Sequence, residues 1–144
     1  MLGRNMARSI VCLFFLILPA FHASAQLSVT ERAELRSKML EAVKSLKVTD
    51  QLYDDLTARK EKDALILAYI GTLEALKAKH AWNPYSKLRY ISKAEVTLRG
   101  AVERNPNDLQ IRFMRFSVEH YTPEFLNKSK NLNSDKEFIL SCFR

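Results

Sequence analysis

The chain has 144 residues, 47% of them apolar, and 23 Lys plus Arg against 16 Asp plus Glu give a formal charge of +7. That length fits one domain, and the apolar share is that of a folded protein and not of a charged tail. Three glycines (Gly3, Gly71 and Gly100) are too few for a phosphate-cradling loop, which excludes P-loop and dinucleotide-binding enzymes.

Residues 1–25 carry Arg4 and Arg8, an apolar run from Ile10 to Leu18, Pro19, and the small-residue ending Ala23-Ser24-Ala25. This is the three-part pattern of a secretory signal peptide, with cleavage expected after Ala25. The apolar stretch is too short, against the roughly 20 residues that cross a bilayer, for an integral anchor. The expected location is therefore the periplasm or the exterior. Loss of Arg4 and Arg8 lowers the charge from +7 to +5, and loss of Cys12 leaves Cys142 as the single thiol, expected to be buried near a helix end.

From residue 26 to 144 apolar residues recur at three and four, so the expected fold is all-α, a set of antiparallel helical hairpins. Helix one is expected from about Val29 to Leu46, with Ser28 or Thr30 as cap, and helix two after Thr49-Asp50. Helix three, from about Asp63 to His80, contains the uncharged stretch Ala64 to Gly71 and should be central. Asn83-Pro84 opens helix four, whose inward stripe is Leu88, Ile91, Ala94, Leu98 and Ala101. Helix five spans Asp108 to Tyr121, and Thr122-Pro123 starts a helix six reaching about Lys130. Ser134-Asp135-Lys136-Glu137 reads as a capping box for a last helix that buries Phe138, Ile139 and Cys142.

Ala94, Leu98, Ala101 and Pro106 have the spacing of the second helix of a tetratricopeptide repeat and its closing proline, so the segment resembles a degenerate, repeat-like array. The first-helix positions, Ala78, Ala81, Trp82 and Tyr85, depart from that family's pattern. The strings Ala81 to Tyr90, Ile111 to Phe116 and Pro123 to Leu126 also resemble a group of small exported proteins of the Bacteroidetes without assigned activity. That resemblance implies export and transfers no catalytic residue.

No residue set argues for an enzyme. His80 and His120 stand apart from any Cys cluster, so no metal or other cofactor is expected, and no nucleophile elbow is present. Adjacent Asp54 and Asp55 point about 100° apart on a helix and read as a solvated face. The strip Asp108, Arg112, Arg115 and Glu119 on an otherwise apolar helix five has two readings. It forms two i,i+4 surface ion pairs, or Arg112 and Arg115 line a groove that receives a carboxylate or an extended peptide. Arg89 and Tyr90 would complete such a wall, while Trp82 and Tyr85 are expected to pack in the corner between helices three and four. The leading functional expectation is non-covalent binding of a peptide or envelope-protein partner through Arg112, Arg115, Arg89 and Tyr90. A small-molecule hydrolase or carrier is the second class, and a structural subunit forming homo-oligomers the third. A modest charge spread over an exported chain argues against nucleic acid.

Overall fold

The computed structural model describes residues 27–144, so the expected leader lies outside the described residues. Among the described residues every regular element is helical: α1 (Val29–Ala42), α2 (Leu46–Thr57), α3 (Ala64–His80), α4 (Pro84–Arg104), α5 (Leu109–His120), a 3-10 turn (Glu124–Leu126) and α6 (Leu132–Ser141).

Side-chain caps set most of the helix starts. Ser28 and Glu31 form a reciprocal capping box on α1, Asp63 accepts from the Ile66 amide at 2.7 Å, and Asn83 accepts from the Ser86 amide at 2.7 Å ahead of Pro84. Helix one is shorter than its periodicity suggests. Ser45 caps a new helix, and Thr49 Oγ1 donates to the Ala42 and Ser45 carbonyls at 2.8 and 2.9 Å. Leu46 and Thr49 therefore belong to α2, and the chain reverses where an unbroken apolar rhythm predicts continuation.

The expected sixth helix from Pro123 is only a 3-10 turn, ended by Asn127 at φ 51°. Its segment has no apolar face to bury, since Phe125 is exposed. Polar ties hold it instead: Lys128 pairs with Glu95 of α4 at 2.6 Å, and Ser129 donates to the Glu119 carbonyl at 2.9 Å. The last helix begins at Leu132, so Ser134 and Glu137 lie within it and form no capping box. Asp135, not Phe138 or Ile139, is its buried residue, and Cys142 is exposed.

The uncharged α3 is central, as its composition requires. It packs on α2 and α4 and also touches α1 and α5, whereas among the described residues α6 rests on α5 alone. Ala94, Leu98 and Ala101 of α4 are buried against it, but Leu88 is exposed and leaves the inward stripe. The approach of α3 to α4 is closest at Gly71, where a Cβ would lie 2.7 Å from Leu98 Cγ and 3.2 Å from the Leu98 amide nitrogen. One added methyl there overpacks the contact at about 1–3 kcal/mol, which outweighs the ~1 kcal/mol of helix propensity that alanine contributes. Gly71→Ala is accordingly expected to lower the thermal midpoint. Gly100→Ala, with nothing within 4 Å of the new methyl, should raise stability by about 0.5–1 kcal/mol. Thermal unfolding followed by circular dichroism checks both, and equal gains for the two variants would refute the close approach.

Candidate functional site

The polar strip of α5 makes neither of its expected i,i+4 pairs. Asp108 caps the helix, accepting from the Gln110 and Ile111 amides at 2.9 and 3.0 Å. Arg112 and Arg115, three positions apart and so on one face, both reach Asp135 of α6. Arg115 holds the carboxylate with two bonds of 2.7 Å, and Arg112 Nη1 adds a third at 2.6 Å. Asp135 is fully buried and Arg115 is 7% exposed. Arg115 recognises the carboxylate in the bidentate manner its chemistry favours, Arg112 adds a single bond, and that carboxylate belongs to the chain's own last helix. Arg112 also donates to the Pro106 carbonyl and stacks over the Phe138 ring at 4.7 Å.

Glu119, the far end of the strip, is buried and receives the Asn131 amide and side chain at 2.8 Å each. These bonds fix where the chain returns to begin α6. Between the end of α5, the polar connection and the start of α6 lies an open cleft of about 460 Å³. Its walls include His120, Glu124, Asn127, Lys130, Leu132 and Asn133 over a floor at Glu119. His120 is positioned by stacking on Phe116 at 5.8 Å and by the edge of Tyr121 at 5.2 Å. The cleft is open to solvent and lined by polar and apolar groups alike, so it differs from an enclosed apolar pocket.

Arg89 and Tyr90 attend to other neighbours than Arg112 and Arg115. Tyr90 lies under Lys77 of α3 at 5.9 Å and under Arg89 at 5.3 Å. Trp82 and Tyr85, expected to pack in the corner, are 91% and 75% exposed. The hairpin turn carries them past the last covered position of α3, so no neighbour reaches them.

A further buried carboxylate, Glu74 of α3, was hidden in the sequence by the apolar residues around it. Its two oxygens accept from Thr97 Oγ1 at 2.7 Å and Tyr53 OH at 3.3 Å, with Lys93 Nζ 3.3 Å away. Lys93 also donates to Tyr53 OH at 2.5 Å. The hydrogen bond to Tyr53 and the charge of Glu74 raise the Lys93 pKa above its ordinary value, against an opposing desolvation. Each group is engaged by another of the same cluster, so it works as a joint between α2, α3 and α4.

The cleft and the Asp135 clamp are the features sequence reasoning missed. One signal was present: two arginines on one face of an apolar helix need a carboxylate from elsewhere, and Asp135 lies in the first turn of α6. Comparison of the chain with known protein families, with characterised proteins and with solved structures finds no match.

Asp135→Ala removes the carboxylate that neutralises the buried Arg115 guanidinium and the partly buried one of Arg112, a loss of about 3–5 kcal/mol for a buried pair. Because α6 rests on α5 alone, hydrogen exchange should quicken across Leu132–Ser141 while amides of α3 keep their protection. Uniform quickening through α3 would show that the clamp holds the whole fold. For Lys93 the raised pKa places its contribution to stability below the ordinary lysine range, to be lost as pH rises through the higher folded value. Alkaline unfolding of the wild type should accordingly show a step that Lys93→Gln abolishes, and an unchanged alkaline profile in that variant would refute the linkage.

Proposed function

We propose that the chain is an exported, repeat-like array of antiparallel helical hairpins that acts by non-covalent binding of a peptide segment of an envelope-protein partner. The observation that carries this reading is the polar cleft between α5, the connection and α6. It presents donors and acceptors on three sides, with the exposed aromatic rings of Tyr121 and Phe125 close by in the chain. The repeat-like part is supported by the pairing of α1 with α2, α3 with α4 and α5 with α6, and by the contacts of α3 with both α1 and α5. Export is supported by the pattern of residues 1–25.

In this reading Arg112 and Arg115 act at one remove. They hold Asp135 and thereby fix α6, which supplies the Leu132 and Asn133 wall of the cleft. His120, Lys130 and Asn133 touch the peptide. The mechanism is orientation by hydrogen bonds in a preformed groove, with no covalent step.

Capture from envelope extract, followed by a peptide array of the captured protein, tests the reading. Asn133→Trp fills the cleft and Lys130→Ala removes its cation. Each should weaken the mapped peptide about tenfold, ~1.4 kcal/mol, with the thermal midpoint unmoved because both residues are exposed. Affinity unchanged in both variants would place the partner elsewhere and refute the cleft.

A further inference from the structure

One end of the molecule is used by neither the fold nor the cleft. There the α1–α2 turn and the α3–α4 turn lie side by side, since Lys79 Nζ donates to the Val43 carbonyl at 2.8 Å and His80 Nε2 lies 3.3 Å from the Ala42 carbonyl. Val43 and Leu46 of the first turn and Trp82 and Tyr85 of the second are exposed at this end. Isolated apolar residues on a surface are ordinary. A Trp and a Tyr three positions apart with most of their area in water, on a turn that bonds to another carrying exposed Val43 and Leu46, are more than isolated residues.

The charge of this end is one-sided. Between Glu74 and Glu95 the chain contains Lys77, Lys79, Lys87, Arg89 and Lys93 and no carboxylate, and the first turn adds Lys44 and Lys47 after Glu41. Lys77 pairs with Asp50, and Lys93 with Glu74. Among the described residues Lys44, Lys47, Lys87 and Arg89 have no carboxylate within ion-pair distance.

We propose that this end docks on a membrane surface rich in anionic lipid, with the unpaired cations at the phosphates and Trp82 and Tyr85 at headgroup level. Amphipathic rings favour that layer, where one edge is apolar and the other wet. Cations near an anionic leaflet each add attraction that falls off within a Debye length. The choice of a membrane over an acidic protein rests on layout. The free cations sit on the α1–α2 turn and near the starts of α2 and α4, close in the chain to the exposed Trp82 and Tyr85, and a fluid charged plane satisfies them together without a matching shape. This inference is independent of the cleft.

Trp82 is the only tryptophan of the chain, so its emission reports the docking directly. The purified protein is titrated with vesicles of phosphatidylglycerol and phosphatidylcholine in equal parts, and with pure phosphatidylcholine. The expected result is a blue shift and protection from acrylamide quenching with the anionic vesicles only, weakening as salt is raised. Lys87→Glu with Arg89→Glu should lower co-sedimentation about thirtyfold or more. Tyr85→Ala should lower it severalfold, and circular dichroism should be unchanged because these side chains are exposed. The proposal is overturned if Trp82 emission does not move, if neutral vesicles bind as well, or if the charge-reversed variant binds undiminished. A shift with soluble poly-glutamate and none with vesicles also overturns it, in favour of an acidic protein.

Discussion

Because Gly71 leaves room for Leu98 to lie against the α3 backbone, α3 and α4 approach closely enough to form the joint around which the other helices assemble. The apolar α3 needs neighbours on several sides, and no single partner supplies them. Its apolar side chains are covered by α2, α4 and α5, with α1 adding a smaller contact. Small residues of α4, Ala94 and Ala101, extend the closely packed strip on either side of Leu98. The same approach brings Thr97 of α4 within reach of Glu74, so the buried carboxylate depends on the close packing that surrounds it.

Two of the buried carboxylates, Glu74 and Asp135, work under different conditions. Glu74 lies between three helices that also share a large apolar contact, so its bonds align elements already held together. Asp135 joins α6 to the rest through two arginines, with Phe138 and Ile139 only half-buried beside it. A buried ion pair tends to break even against desolvation, though losing one partner is costly. A helix held in this way has a defined position and a modest hold, and α6 is the most readily opened wall of the cleft.

Legibility in the sequence followed the range of each interaction. Asp63, Asn83-Pro84 and Asp108 mark helix starts through bonds spanning two or three residues, and each stands where its local chemistry put it. The α1–α2 reversal was hidden because the apolar rhythm runs on from Val43 to Leu46, while the deciding bond joins Thr49 to a carbonyl seven residues back. The charged strip failed in the opposite direction. Its i,i+4 spacing suggested pairs worth a few tenths of a kcal/mol in water, and a carboxylate from another helix, buried and bidentate, displaced them. Cys142 and Trp82 were misplaced for one reason: apolar character was read as burial, and at an unpacked terminus and a hairpin turn nothing arrives to cover it.

That separation of covered from uncovered apolar surface bears on function. Side chains that hold the helices together, such as Leu56, Tyr69, Leu73, Leu98 and Ile111, are almost wholly removed from water and have no area left for a partner. The cleft walls His120, Glu124, Asn127, Lys130 and Asn133 and the side chains of the cationic end are exposed, whereas Glu119 and Thr122 in the cleft are buried. In the proposed readings recognition falls on exposed side chains, while buried Asp135 and Glu119 hold the elements that form the cleft. The connection from Tyr121 to Asn131 is held mainly by polar bonds, to Glu119 and Glu95, with little apolar cover. Adjustment to a ligand is cheapest there, since each tie can be exchanged for a bond to the ligand without exposing any part of the core.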